Sequence, residues 1–308
     1  MDRFRVEDET PRTLTVRVRN ALGLSHRGAR ELVVSGRVRV DGRVVREPAL
    51  RPGPGSEIEV LPSAAGVREI TGPGFRVLHL DRDLVAIDKA PGVVVIPTST
   101  RDPDDVPLVA RVIAALGLAG HRAAALWIVH RIDRETSGLV LFARREPAYL
   151  RLRRAFRERR PVREYLGIAE GLPHPGRGTL THWLTEERET HRVTAHPARV
   201  EGAVDARLTY RVIARCAAPP RALVRFRLET GRRNQIRAQA AAAGWPLVGD
   251  RWYDAQDPGS GRTALHAARL VIPAAALGRR RDLELEAPLP RDLVRLCRGW
   301  FPDQVRSP

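Results

Sequence analysis

Short strand-like runs outnumber helical stretches and do not alternate with them, and this ordering restricts the available folds more than any other feature. Runs of β-branched, aromatic and apolar residues occupy 77–80, 84–88, 93–96, 127–130, 138–143, 165–169, 207–213, 222–229 and 265–272. Helical spacing recurs at 106–118, 147–158, 234–243 and 291–298. Strict strand–helix alternation would build a parallel, doubly wound sheet. Its absence predicts an α+β fold with a mixed, largely antiparallel sheet.

The 308 residues suffice for two domains. A small α/β module is expected within 1–62. Leu14, Val16, Val18 and Leu22 give a first helix its apolar face, and Ser25 N-caps a second helix that ends at Ser35-Gly36. Two short strands follow around Asp41-Gly42, and a last one around Ile58. Residues 63–74 are rich in Pro, Gly, Ala and Ser, the composition of a linker. Residues 75–308 form the larger domain.

Lysine plus arginine number 53 against 36 aspartates and glutamates, a formal net charge of +17. Such an excess suits a polyanion, RNA or DNA before a membrane surface. Lys89 is the only lysine, a skew that reads as genomic base composition before selection at each site. No apolar run approaches the roughly 18–20 residues of a membrane span. The charged N-terminal residues have no hydrophobic stretch, so no secretory leader is expected. Cys216 and Cys297, without a Cys-x-x-Cys, fit a reducing cytoplasm better than a disulfide scaffold or thiolate zinc site. There is no P-loop, dinucleotide fingerprint or Gly-x-Ser-x-Gly elbow. His182, His191 and His196 match no metal-ligand spacing. Neither a metal nor a cofactor is expected.

The densest chemical signal is His130-Arg131-Ile132-Asp133-Arg134-Glu135-Thr136-Ser137-Gly138-Leu139-Val140-Leu141-Phe142-Ala143. A strand ends at His130, a polar loop carries Asp133 between two arginines, and an apolar strand resumes at Gly138. An acid beside cations stays ionised and can serve as nucleophile, base or electrostatic stabiliser. On the residues alone, a turn-capping loop ion pair is the favoured account of Asp133, since structural ion pairs also perturb acids.

This segment resembles the His-Arg-Leu-Asp-x-x-Thr-Ser-Gly-Leu motif of the RluA-type RNA pseudouridine synthases. Further segments agree in the family's order: Asp88-Lys89-Ala90-Pro91-Gly92, Arg163-Glu164-Tyr165-Leu166, Leu228-Glu229-Thr230-Gly231-Arg232-Arg233-Asn234-Gln235-Ile236-Arg237, Gly244-Trp245-Pro246-Leu247-Val248-Gly249-Asp250 and Leu265-His266-Ala267. The resemblance spans 75–290. The N-terminal module resembles the small alpha-L RNA-binding domain that often precedes this catalytic domain. Two positions depart from the family pattern: Asn234 replaces a histidine and Arg163 a lysine.

The resemblance implies a catalytic domain with a central RNA-binding cleft and cofactor-free isomerisation of uridine to pseudouridine. Asp133 would be the essential acid, acting on the sugar or abstracting a ribose proton to give a glycal. Tyr165 would stack on the uracil, and Arg237 would pair with Asp133. Arg27, Arg30, Arg37, Arg131, Arg232, Arg233 and Gln235 would contact RNA. Residues 144–163, with nine arginines and two glutamates, would face it too. The target base must leave its stack to react. Ribosomal RNA is the expected substrate ahead of transfer RNA, and the protein is expected to be a cytoplasmic monomer. The rival reading is a non-catalytic RNA-binding or ribosome-assembly protein on the same fold.

Overall fold

Leu14 and Val18, one helical turn apart, are fully buried, as are Ala29 and Val33 at the same spacing. They form the inner faces of α1 (Leu14–Leu22) and α2 (His26–Val34). Ser25 caps α2, its hydroxyl accepting from the Gly28 N–H at 3.1 Å. Both helices share one core with Val38, Val40, Ile58 and Val60. Those residues lie on an antiparallel sheet of β1 (Asp2–Arg5), β2 (Val38–Val40), β3 (Arg43–Val45) and β4 (Glu57–Val60), ordered β1-β4-β2-β3. The computed structural model describes residues 2–7, 10–34, 36–45, 47–60, 70–97, 106–117, 126–257, 259–302 and 304. The chain divides into two units, Met1–Ile70 and Thr71–Pro308. Ser35 and linker residues 63–69 lie outside the described residues.

In the larger unit the chain runs through β5 (Thr71–Gly72), β6 (Phe75–Leu80), β7 (Leu84–Lys89), α3 (Leu108–Ala115), β8 (Trp127–Ile128), β9 (Ser137–Ala143), α4 (Glu146–Arg157) and β10 (Val162–Glu170). It continues through β11 (Arg177–Glu186), β12 (Val193–His196), β13 (Val204–Cys216), β14 (Arg221–Leu228), α5 (Gln235–Ala242), β15 (Leu265–Ile272), α6 (Ala274–Leu277), β16 (Leu283–Glu286) and α7 (Arg291–Trp300). Among the described residues these strands make one 12-stranded sheet, ordered β12-β11-β13-β14-β10-β15-β9-β7-β6-β5, with β16 on β15 and β8 on β9. Every pairing is antiparallel except β9 with β15. The fold is therefore the expected α+β class with a mixed, largely antiparallel sheet.

All seven residues of β9 are buried. A run without polar alternation suits a strand covered on both faces. At its start Gly138 adopts φ +106° opposite Ala267, and a Cβ there would sit 2.2 Å from the Ala267 carbonyl oxygen. Only glycine lets β15 come this close immediately after the Asp133 loop.

Three expectations change. Thr71 and Gly72, placed in the linker by composition, form β5 and pair with Arg76 and Phe75. The Pro-Gly pair that suggested a linker is the tip of that hairpin. Residues 93–96 are irregular loop and bend, not strand. The Val94 carbonyl accepts from the Leu108 N–H at 2.8 Å, at the start of α3. The edge strand β12 and its neighbour β11 have no counterpart among the expected runs. Among the described residues no helix is long and apolar enough to cross a membrane.

Candidate active site

Asp133 sits in the loop between β8 and β9, where its carbonyl accepts from the Thr136 N–H at 3.1 Å to close a turn. Two buried cations fix the next two carbonyls. The fully buried Lys89 donates from Nζ to the Arg134 and Ala90 carbonyls, each at 2.9 Å. Arg262 donates from Nη1 to the Glu135 carbonyl at 3.2 Å, its charge met by Asp292 at 2.6 Å from Nε. Burial pushes the Lys89 ammonium down to about 7. A guanidinium is larger and does not deprotonate, so it fits this socket poorly. Lys89→Arg is expected to cost about 1–3 kcal/mol through overpacking. The urea midpoint of the variant measures this, and an unchanged midpoint would refute it.

His130 is a support and not an acid or base. Its Nε2 accepts from the Leu141 N–H at 3.1 Å, and its ring stacks on Phe156 at 5.0 Å. Burial, with Arg163 nearby, pushes it down to about 3, so it stays neutral.

Two cavities meet at Asp133, of about 480 and 520 Å³, and Arg131 and Ile132 line both. The first is walled by Val95, Ile96, Arg233, Asn234, Arg237 and Trp252. The second is walled by Phe156, Arg163, Tyr165, Leu228, Arg232 and Ile236. Asp133 is half-buried: protein surrounds it, yet it opens onto both spaces. Desolvation raises its carboxyl above the usual carboxylate range. The charges of Arg237, Arg131 and Arg233, and a hydrogen bond from the Asn234 N–H, partly offset that rise.

Tyr165 reaches the second cavity from β10, where a register shift between Glu164 and Tyr165 interrupts the pairing with β15. Such a bulge re-aims a side chain. Burial, with the Asp133 charge adding to it, pushes the phenol up to about 12, so it remains protonated at neutral pH. It can relay a proton but holds no standing phenolate. Tyr165→Phe keeps the ring and loses the relay. We expect kcat to fall about 10²-fold with KM nearly unchanged, followed as tritium release from RNA carrying 5-tritiated uridine. An unaltered kcat would rule the relay out.

Arg237 is not directly paired with Asp133 as expected. Its Nε and Nη2 donate to the two carboxylate oxygens of Asp250 at 2.6 and 2.7 Å, and its Nη1 donates to Asn234 Oδ1 at 3.0 Å. It acts on Asp133 through space as the strongest of the stabilising charges. Asn234 stands at φ +48°, left-handed backbone that asparagine adopts more readily than most residues. The asparagine side chain thus accepts a hydrogen bond from Arg237, while the bond to Asp133 comes from the backbone N–H, which a histidine would supply as well. Asp250, fully buried, is the functional residue that motif reading left without a role.

Gln235 is also corrected. It is buried, its Oε1 accepts from Thr230 and the Arg232 N–H, and its Nε2 donates to the Arg207 carbonyl and Gln239. All four hydrogen-bonding positions of the amide are used inside the protein, which leaves none for RNA. Arg131 is exposed at the mouth of both cavities. Arg232 lines the second cavity but is held by Asp205, and Arg233 lines the first while paired with Glu186. Arg163 lines the second cavity, with its Nε buried and without a partner. In the other unit Arg27 and Arg30 are exposed on α2, and Arg37 is half-buried beyond its end. Among the described residues no group of three His, Cys, Asp or Glu side chains could hold a metal ion.

Comparison with known proteins places this geometry. The RNA pseudouridylate synthase family model matches residues 83–242, and the S4 domain model matches residues 18–58. An uncharacterized RNA pseudouridine synthase of Zymomonas mobilis is 34% identical over 228 residues, 70% of this chain and 94% of its own length. Ribosomal large subunit pseudouridine synthase D of Vibrio parahaemolyticus is 31% identical over 295 residues, 89% of this chain and 86% of its own. The solved structure of human RNA pseudouridylate synthase domain containing 4 aligns with a TM-score of 0.56 at 25% identity, covering 72% of this chain and 91% of that one. The non-catalytic alternative is not favoured by these relatives. Matched along its sequence and its sheet alike, the chain belongs to the RNA pseudouridylate synthases of the RluA type, isomerases that act on RNA, and carries an S4 domain at its N-terminus.

Proposed function

We propose that the protein isomerises specific uridines of ribosomal RNA, with Asp133 as the acid at the centre of the reaction. The observation that carries this reading is a single carboxylate at the junction of two basic cavities, one floored by Tyr165. The target uridine turns out of its stack into the Tyr165 cavity. The bond between uracil N1 and the anomeric carbon breaks, the base turns, and C5 bonds to the same carbon. The C5 proton leaves and N1 takes one up, so nothing is oxidised or hydrolysed. Arg237 steadies the Asp133 charge. Arg131, Arg232 and Arg233 meet the phosphates around the cleft, and Arg27, Arg30 and Arg37 those reached by the S4 domain.

Ribosomal RNA is favoured because the chain pairs an S4 domain with a catalytic domain similar to ribosomal large subunit synthases. A cytoplasmic monomer is consistent with that substrate. Unmodified ribosomal and transfer RNA transcripts, incubated with the protein and labelled with carbodiimide, test the assignment. Stops at discrete uridines of ribosomal RNA are expected. Labelling of transfer RNA alone would overturn the choice of substrate, and labelling of neither would overturn the reaction.

A further inference from the structure

We infer that Trp252 is the stacking platform for the nucleotide next to the target uridine, seated in the cavity on the Arg237 side of Asp133. This rests on the reading that the Tyr165 cavity takes the uridine itself.

A base turned into one of the two cavities leaves the other beside the same carboxylate. That second space is lined by Arg131, Arg134, Arg233 and Arg251, with an apolar wall at Val94 and Ile96. Trp252 is 41% exposed at this site, whereas Trp127, Trp183, Trp245 and Trp300 are buried or half-buried. A large flat apolar ring open to a basic cavity contributes little to the core and suits a nucleobase, since every base offers a π-face.

The ring is also fixed in place. Trp252 lies in a single 3-10 turn, Arg251–Tyr253, whose backbone is pinned by the Trp252 main-chain N–H donating to Asp250 Oδ1 at 3.3 Å. The Arg237 guanidinium lies over the ring, 5.2 Å from its centroid. A ring held this way loses little freedom when a base stacks on it. Arg237 is the strongest charge steadying Asp133. The fixed, open ring makes Trp252 a binding residue that grips the neighbouring nucleotide through stacking whichever base it carries, and not through base-edge hydrogen bonds.

The test uses the full chain and two hairpin RNAs. Each has one loop uridine, with 2-aminopurine on its 5′ side in one hairpin and its 3′ side in the other. Wild type is expected to bind both and to quench the fluorescence of one. Trp252→Phe should keep most of the quenching. Trp252→Ala should abolish it and weaken binding about tenfold or more, with its melting temperature close to wild type. On ribosomal RNA transcripts the loss should fall on KM more than on kcat. Quenching by Trp252→Ala equal to wild type, or binding of both hairpins with neither quenched, would overturn the platform. Normal quenching by a protein that isomerises no uridine would leave the platform standing and overturn the reaction instead.

Discussion

Asp133→Asn is expected to abolish turnover, lowering kcat by about 10⁴-fold or more, the scale seen when a central acid is neutralised without changing its shape. Asparagine can still accept the Asn234 N–H, so the loop should keep its conformation. RNA affinity should hold or improve, because one negative charge leaves a basic cleft. Carbodiimide stops on ribosomal RNA transcripts, compared at equal bound protein, measure the loss. Substantial turnover by the variant would remove Asp133 from the reaction.

The same substitution should stabilise the protein. The folded-state carboxyl titrates above its ordinary range because of burial. As pH rises through that interval, the unfolded chain releases its proton first and the folded state is progressively penalised. At neutral pH the penalty is in place, and asparagine does not carry it. Asp133→Asn should therefore melt higher than wild type near pH 7 and lose the advantage in acid. Wild-type activity should fall as pH drops through the raised value, because protonation removes the charge.

How much of this was legible in the sequence follows from where each interaction lies. Asp133, its loop and β9 share one continuous segment, so local chemistry and the unbroken apolar run located them together. Tyr165 was placed by motif order, but its inward aim depends on a bulge against β15, a pairing across about a hundred residues that no local pattern records. Motif order identifies Arg237, but its direct partner is Asp250 and not Asp133. Asp250 reaches it because the chain reverses at Gly249, where φ is +74° and a Cβ would lie 2.2 Å from the Arg262 carbonyl oxygen. Val94, Val95 and Ile96 are apolar for a different reason: they wall a cavity, the Val94 and Val95 carbonyls anchor the start of α3, and burial alone does not separate a strand from a packed loop. The outer strand β11 reads Arg-Gly-Thr-Leu-Thr-His-Trp-Leu-Thr-Glu, half-exposed throughout much of its length, so its hydrophobic signal was too thin.

Asp250→Asn should produce the second large effect, in stability and catalysis at once. Asp250 and Arg237 form a buried bidentate pair, 0% and 7% exposed at the side chain. Removing one charge leaves the buried guanidinium facing only neutral amide oxygens, with an NH2 group where one carboxylate oxygen had accepted. Breaking such a pair typically costs about 3–5 kcal/mol, whereas replacing both partners by apolar residues is often neutral or stabilising. Urea unfolding should therefore show a large loss for Asp250→Asn and a recovery when Arg237→Leu is combined with Asp250→Leu. Activity should separate the two variants. In Asp250→Asn the guanidinium keeps its charge but loses its orientation, so Asp133 is less well stabilised. Its acid limb should move to higher pH while some turnover persists. In the double variant the chain folds well but has lost the strongest charge acting on Asp133, and turnover should stay low despite restored stability. An acid limb that stays in place in Asp250→Asn would mean that Arg237 does not govern the carboxylate.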